Sequence, residues 1–204
     1  MKYPSTILNL IECFKKLPGI GEKTAERLAL SMLDNDDSIN ELFAKSIKEI
    51  KTKIKRCNIC NNLSEEEKCE ICKDNSRNKK VICVVEEPKN IILFEKINIF
   101  DGYYHVLDGL ISPIDGINPE DINISSLIDR VKTAQIEELI LALKPSIEGE
   151  TTSLYISKLL EKENVKITKI AYGIPMGAEM DYVDSLTLEL ALENRMDIST
   201  NKKS

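Results

Sequence analysis

The 204-residue sequence lacks several features that mark common classes of protein. It has no run of eighteen apolar residues, and residues 1–9 lack the basic-then-apolar build of a secretory signal, so we expect a cytoplasmic protein without membrane association. No GxxxxGK[ST] motif is present, which predicts no intrinsic ATPase. Nucleophiles are scarce: the single histidine, His105, lies in a strand-like run and is predicted to be a packed core residue, and Cys13 and Cys83 lie on apolar faces and are predicted to be buried.

The remaining four cysteines are concentrated within sixteen positions. Cys57 and Cys60 form one CxxC pair, and Cys69 and Cys72 form a second after an eight-residue spacer. Two such turns that face each other supply the four thiolates of a tetrahedral zinc site. Disulfides are the alternative, which a reducing cytosol disfavours. The spacing therefore predicts one structural Zn²⁺ per chain, and the metal is expected to supply most of the folding free energy of its segment.

Charge is unevenly distributed along the chain. Residues 1–56 have eleven Lys and Arg against eight Asp and Glu, a net charge of +3, whereas residues 81–204 have twelve against twenty-one, a net charge of −9. The overall net charge of −6 hides this asymmetry. Such a division predicts a basic end that binds a polyanion and an acidic end that binds something else.

A segment near the N-terminus has the pattern of two helices joined by a tight turn. An apolar stripe predicts a helix over residues 5–16, and Gly19 and Gly21 then permit the turn. Lys23 and Arg27 are four residues apart and lie on one face of the following helix. The segment resembles the helix-hairpin-helix motif, in which N–H groups at a helix start and basic side chains bind phosphates independently of base sequence. A plain helical hairpin is the alternative.

A third amphipathic helix is predicted over residues 39–56, leading directly into the cysteine-rich segment. Its polar face carries a run of basic residues. Whether that face is simply solvated or faces DNA stays open at this point.

After residue 80 the pattern changes to alternating strand-like and helix-like segments. Strands are predicted at residues 81–85, 103–107, 139–143 and 165–171. Helical stretches separate them near residues 89–97, 121–134 and 151–163, and a last helix near 184–196 precedes a polar tail. This alternation predicts an α/β region with a mainly parallel sheet covered on both faces.

Acidic residues follow the predicted strands, at the edge where functional sites of open α/β sheets collect. With Glu86 after the first strand, this region resembles the Toprim domain of topoisomerases, primases and small nucleases. The resemblance implies Mg²⁺ ligands at Glu86 and at an acidic pair after a later strand, but residues 144–146 read Lys-Pro-Ser there, and carboxylates follow only at Glu148 and Glu150. Two-metal chemistry needs several clustered carboxylates. Glu148 and Glu150 also begin a helix, where acidic side chains favour the dipole, so a docking edge and a structural role both stay open.

The order of these parts closely resembles the RecR family of bacterial recombination mediators over about residues 5–197. The segments at residues 102–107, 145–152 and 173–177 add to the resemblance. It implies four parts: a helical N-terminal domain with a helix-hairpin-helix (residues 1–54), a four-cysteine zinc finger (55–78), a Toprim domain (79–173) and a C-terminal segment with a helix and a frayed tail (174–204).

The family resemblance also implies a function. It predicts a ring-shaped tetramer that clamps DNA and acts with RecO, and in some systems RecF, to load RecA onto single strands coated by single-strand-binding protein, with no enzymatic activity. We expect the N-terminal helices to form one ring interface and the segment after Gly173 to form the other. The residues expected to bind DNA are Gly19, Gly21, Lys23 and Arg27, and those expected to bind a partner or to form a vestigial Toprim site are Glu86, Glu148 and Glu150.

Two alternatives belong to other functional classes. The first is a Toprim-type metal-dependent nuclease or primase-like enzyme that uses Glu86, Asp108 and one of Glu148 or Glu150. The second is a zinc-stabilised DNA-binding module that forms no ring. One departure from the family pattern weakens a metal site, because an Asp that is often found four residues after Glu86 is Asn90 here.

Overall fold

The computed structural model describes residues 3–171 and 173–195, and it divides into two compact units, Met1–Ile54 and Lys55–Ser204. The polar tail predicted at the end of the chain lies outside the described residues. Within the described ranges, no helix is both long enough and apolar enough to span a bilayer.

Three helices form the first unit: α1 (Ser5–Lys15), α2 (Glu22–Asp34) and α3 (Asp37–Lys53). α1 and α2 pack around a small core whose buried members are Ile11, Phe14, Ala25 and Ala29. Cys13 is exposed, contrary to the prediction, because it is two positions from Ile11 and so lies on the far side of α1. α3 has no buried residue at all.

The second unit begins with residues 55–78, here called the zinc segment. In it, strand β1 (Lys55–Arg56) pairs antiparallel with β2 (Leu63–Ser64), and a single helical turn, α4 (Glu70–Lys73), follows. The helix predicted over residues 39–56 therefore ends at Lys53, because the last two residues are drawn into pairing with β2. Tertiary hydrogen bonding overrides the helical pattern at this point.

Four parallel strands follow, confirming the predicted sheet: β3 (Asn78–Val85), β4 (Gly102–Val106), β5 (Glu138–Ala142) and β6 (Lys166–Lys169). Their order in space is β4-β3-β5-β6, so β3 is central and β4 is an edge. The helices are α5 (Pro88–Ile97), α6 (Ile124–Thr133), α7 (Ile147–Leu159) and, at the end of the described chain, α8 (Ser185–Glu193).

Alternate side chains of β3 enter the cores on the two faces of the sheet. Ile82 and Val84 belong to the larger core, to which α6 and α7 contribute, whereas Cys83 and Val85 pack with Ile91 of α5. Cys83 is buried as predicted, and burial raises the pKa of its thiol to about 12. Helices thus lie on both faces, and the carboxyl ends of β3, β4 and β5 meet at one edge.

Candidate zinc centre and nucleic-acid interface

The four clustered cysteines converge on one point. Their sulfur atoms all lie within 4.8 Å of one another, and Cys57, Cys60 and Cys69 are buried while Cys72 is half-buried. The Sγ atoms of Cys60 and Cys69 are 3.5 Å apart, which is too far for a disulfide of about 2.05 Å. Two thiolates on one tetrahedral Zn²⁺ at about 2.3 Å would be about 3.8 Å apart. The donor set and its spacing fit zinc, so the predicted four-cysteine site is confirmed.

Local backbone geometry produces this convergence. After Cys60, Asn61 adopts a left-handed φ of 60°, which turns the chain back on itself. The Asn61 N–H donates to the Cys57 carbonyl (2.9 Å), and the Cys57 N–H donates to the Asn62 carbonyl (2.7 Å). We call residues 57–62 the first knuckle. Hydrogen bonding between the thiols raises the pKa of Cys60 and lowers that of Cys69. Zinc binds cysteine as the thiolate, so binding of the metal would release protons from this cluster.

The zinc segment lies along the outer side of the edge strand β4. The Val106 N–H donates to the carbonyl of the zinc ligand Cys60 (2.8 Å), and the Tyr103 hydroxyl donates to the carbonyl of Asp74 (2.8 Å). An exposed edge strand is normally left with unpaired backbone groups. Here the zinc segment satisfies part of that edge, so the finger and the sheet form one continuous structure.

A half-buried charge pair joins the end of the zinc segment to α5. The Arg77 guanidinium donates to both carboxylate oxygens of Glu95 and to the carbonyl of Gly102 (3.1 Å). The Tyr104 hydroxyl also donates to Glu95 (2.7 Å). Burial alone would raise the pKa of Glu95, but the hydrogen bonds from Arg77 and Tyr104 outweigh it and hold that pKa below its usual value.

The acidic residues predicted as a Toprim site follow the sheet but do not converge. Glu86, half-buried, follows β3 beside a groove of about 510 Å³ that α5 and the ends of β5 and β6 line. Glu148 lies in the first turn of α7, where the Ser146 side chain lowers the pKa of its carboxyl. Glu150 accepts two hydrogen bonds from Lys169 of β6 (3.0 and 3.1 Å). Two positions apart on a helix, Glu148 and Glu150 cannot face the same ligand.

Asp108, the further carboxylate that the enzyme alternative requires, is already engaged. Its carboxylate forms an ion pair with Arg56 (2.7 Å) and accepts from the Asn123 side chain (3.2 Å). Within residues 3–171 and 173–195, the four cysteines form the only group of three or more acidic, Cys or His side chains close enough to hold a metal ion.

Three residues near this edge have structural roles that sequence reasoning missed. Asn90 accepts a hydrogen bond from the Glu87 N–H (2.8 Å) and so completes a capping box at the start of α5, which an Asp would also do. A Cβ on Gly149 would lie 1.9 Å from the Lys144 carbonyl oxygen, so only glycine fits there. Thr152, fully buried, accepts from the Ile111 N–H (2.9 Å) and anchors the loop after β4 on α7.

His105 has the structural role that was predicted for it. It is fully buried in β4, and its Nε2 lies 2.9 Å from the carbonyl of Asn123 at the start of α6. Burial lowers its pKa to about 4, so the ring is neutral at physiological pH. A neutral ring whose Nε2–H donates to that carbonyl ties β4 to α6.

The two glycines of the N-terminal turn differ in what they contribute. Gly19 has a φ of 80°, a conformation that favours glycine and makes the turn between α1 and α2. Gly21 has φ −83° and ψ 171°, which any residue adopts, and it is the N-cap of α2. A Cβ on Gly21 would meet nothing within 4 Å. Gly19 therefore makes the turn, whereas Gly21 begins α2 in a conformation that does not itself require glycine.

The start of α2 carries unpaired donors and basic side chains on an open surface. No side chain caps α2, so its first N–H groups face outward. Lys23 and Arg27 are both exposed and line one shallow depression together with Glu26 and Asp34. Within the described residues neither basic side chain has an ion-pair partner. This surface therefore offers backbone donors and two free cations to an anion.

Comparisons with known families and proteins agree over nearly the whole chain. Family models match four consecutive regions: the RecR helix-hairpin-helix at residues 7–51, the RecR four-cysteine zinc finger domain at 54–74, the Toprim domain at 80–171 and the RecR C-terminal region at 173–196. These are the four parts, in the same order, that the sequence resemblance implied.

Individual relatives show the same likeness over full length. The chain is 46% identical over 198 residues to the recombination protein RecR of Staphylococcus haemolyticus (strain JCSC1435), an alignment that covers 97% of this chain and all of that protein. The recombination protein RecR of Staphylococcus aureus (strain JH9) has the same identity and coverage. With that identity, that coverage and the geometry of the four cysteines, this chain belongs to the RecR family of recombination proteins.

Proposed function

We propose that this protein is a DNA-binding recombination mediator without enzymatic activity. It forms a ring-shaped tetramer that clamps DNA in the cytoplasm and acts with RecO, and with RecF where that protein is present, to load RecA onto single strands coated by single-strand-binding protein. The observation that carries the proposal is the open start of α2, where free N–H groups lie beside Lys23 and Arg27.

The glycine at position 21 supports a ligand at this surface. Neither backbone conformation nor packing within the chain requires glycine there, since its φ is −83° and a Cβ would meet nothing within 4 Å. A phosphate that approaches the first turn of α2 would require it, because a side chain would keep the backbone N–H groups at a distance. Such contacts do not reach base edges, so binding is independent of sequence.

Self-association is supported by α3. Its apolar side chains form a stripe along one side of the helix and are 44–64% exposed: Ile39, Leu42, Phe43, Ile47 and Ile50. A contiguous exposed apolar surface of this kind is typical of a protein interface. One or two phosphate contacts per chain bind DNA weakly, and a ring multiplies them by its number of subunits.

The C-terminal segment offers a second apolar surface, which ring closure requires. Within residues 173–195, large apolar side chains are exposed: Met176, Met180, Tyr182, Leu186 and Leu192. A closed ring of like subunits needs surfaces that satisfy each other on neighbouring copies. We assign α3 to one interface and this segment to the other.

The proposal of a mediator rather than an enzyme is supported by the acidic edge. Phosphoryl-transfer chemistry of the two-metal kind needs metals held about 4 Å apart by shared carboxylates. Glu150 is bound to Lys169 and Asp108 to Arg56, so these carboxylates are neutralised within the chain. Glu86 and Glu148, which have no ion pair among the described residues, are the ones we assign to a basic surface of RecO.

The decisive experiment measures DNA binding by Lys23→Ala/Arg27→Ala. Binding of a fluorescent single strand is followed by anisotropy across a range of salt, with molar mass by light scattering on the same samples. We expect the variant to keep the wild-type molar mass and to bind DNA much more weakly. The slope of log K for DNA binding against log salt concentration should become shallower by about 0.7 for each phosphate contact removed. The strands should stay intact with Mg²⁺ or Mn²⁺ present, which separates the clamp from a Toprim nuclease.

Two matched double variants complete the design. Lys158→Ala/Lys162→Ala removes the same charge from the second unit and should leave binding unchanged. Lys45→Gln/Lys48→Gln tests the basic face of α3. If Lys23→Ala/Arg27→Ala binds DNA as well as wild type and the α3 variant does not bind, the DNA site lies on α3. A monomeric wild-type protein in light scattering would rule out the ring.

A further inference from the structure

The contact between the first knuckle and the carboxyl end of β4 passes through one side chain. The Arg56 guanidinium donates to the carbonyl of Asn61 inside the knuckle (2.9 Å) and forms an ion pair with Asp108 on the sheet (2.7 Å). Arg56 directly precedes the zinc ligand Cys57. One planar group therefore binds the metal-binding turn and the sheet at the same time, which the fork geometry of arginine allows.

Asp108 connects neighbouring elements of the second unit through hydrogen bonds. It adopts a left-handed φ of 62°, and its N–H donates to the carbonyl of Glu86 at the end of β3 (2.9 Å). Its carboxylate accepts from Asn123, next to α6. A non-glycine residue in this conformation is held there by its surroundings. The side-chain bonds from Arg56 and Asn123 restrain Asp108 in addition to its backbone bond to Glu86.

A second contact connects the same two parts without Arg56. The Val106 N–H donates to the Cys60 carbonyl, two residues before Asp108. Loss of the metal would loosen the first knuckle and so act on both contacts, whereas loss of the guanidinium in the zinc-loaded protein would leave the contact between Val106 and Cys60 in place. The two amides thus distinguish the two routes.

We propose that Arg56 is a positioning residue that couples zinc binding to the conformation of Asp108 and hence to the acidic edge that begins at Glu86. The metal stabilises the knuckle, the knuckle holds Arg56, and Arg56 holds Asp108 in its left-handed conformation. Coupling of this kind is reciprocal: whatever factor zinc adds to the ordering of Asp108, an ordered Asp108 adds to zinc affinity. The proposal does not depend on DNA binding or on ring formation.

Amide hydrogen exchange of the zinc-loaded full-length protein tests whether Arg56 holds the conformation of Asp108. In Arg56→Gln we expect exchange at Asp108 to be at least about tenfold faster than in wild type, with exchange at Val106 unchanged. Lys55→Gln, which removes the same charge from the neighbouring residue, should match wild type at both amides. Chelation of wild type should accelerate both. If chelated protein aggregates, the two zinc-loaded variants alone decide.

Zinc affinity, measured by competition with a chromogenic chelator, tests the reciprocal half. We expect Arg56→Gln and Asp108→Asn each to weaken zinc binding about fivefold or more, and the double variant to be no weaker than either single one. Asn tolerates the left-handed conformation, so Asp108→Asn preserves the backbone. Additive losses in the double variant, or exchange at Asp108 equal to wild type in Arg56→Gln, would overturn the proposal.

Discussion

The two units of this protein differ in how much of their apolar surface they bury within one chain. Among the described residues, the larger core of the second unit contains sixteen buried apolar residues, from strands, helices and connecting loops that are distant in sequence. In the described part of the first unit the core contains four, all from α1 and α2, and α3 contributes none. Among the described residues, the second unit therefore buries a much larger apolar core within a single chain than the first unit does.

The comparison bears on how DNA binding and assembly are related. Most helical stability in proteins comes from packing of an apolar face, and the apolar side chains of α3 are exposed in the single chain. We therefore expect the first unit, which carries Lys23 and Arg27, to reach full stability only in the oligomer. The second unit should fold and bind zinc whether or not it assembles.

The largest effect should come from a substitution inside the self-sufficient unit. Gly149→Ala would place a Cβ 1.9 Å from the Lys144 carbonyl oxygen, and the start of α7 would have to shift. We expect a loss of about 3–5 kcal/mol in the free energy of unfolding, measured by urea denaturation. Gly173→Ala, where a Cβ meets nothing within 4 Å, is the control. Equal urea midpoints for Gly149→Ala and Gly173→Ala would show that the start of α7 can shift at little cost in free energy.

The next effect should appear only in the first unit. Leu42→Gln/Ile47→Gln removes two apolar side chains from the exposed stripe of α3, which costs about 2–4 kcal/mol at an interface. We expect a lower molar mass in light scattering, with zinc content and unfolding of the second unit unchanged. Lys45→Gln/Lys48→Gln, on the polar face of the same helix, should keep the wild-type mass. A full-sized oligomer in the first variant would contradict the assignment of α3.

A smaller effect with a defined pH dependence is expected at Glu95. Removing its charge in Glu95→Gln should cost about 2 kcal/mol at neutral pH, because a half-buried Arg77 loses its partner. The folded-state pKa lies below the usual value of 4.5, so the stabilisation is complete above that value and is lost as pH falls through the folded-state pKa.

Thermal unfolding at pH 7 and at about pH 3–4 checks this dependence. The difference between wild type and Glu95→Gln should shrink at the lower pH. Glu137→Gln, which breaks the exposed pair with Lys80, should change stability little at either pH. A constant difference would mean that the amide disturbs packing rather than charge.

The smallest effects on stability should come from the two hairpin glycines, and they should differ in function. Gly19→Ala forces a side chain into a φ of 80° and should cost about 1 kcal/mol. Gly21→Ala should change stability by less than about 0.5 kcal/mol but weaken DNA binding, because its Cβ would stand in front of the N–H groups of α2. Thermal unfolding and anisotropy measured on both variants separate the two roles.

Local patterns in the sequence were sufficient to predict the features that local chemistry determines. The CxxC spacing predicted the zinc site, and alternating apolar segments predicted the parallel sheet, because both depend on residues close in sequence. Contacts between distant residues were not predictable. Arg56 forms an ion pair with Asp108, fifty-two positions further along the chain. That ion pair occupies a carboxylate that the sequence suggested as a metal ligand.

Errors of the same origin occurred at other positions. The helix predicted to continue to Arg56 ends early because β1 pairs with β2. The exposure of Cys13 on α1 could not be inferred from its apolar character alone. Gly149 gave no signal, since only the approach of the Lys144 carbonyl makes it necessary.

The strand order has a consequence for the protein as it is synthesised. β3 is central, but fifty-two residues separate its end from the start of its partner β5, so at about 5–20 residues per second the central strand waits several seconds for that neighbour. The zinc segment is synthesised before β3 is complete, and all four of its candidate metal ligands lie within it. We expect the metal-bound zinc segment to fold first. β4, the next strand to be synthesised after β3, should then pack against this folded segment.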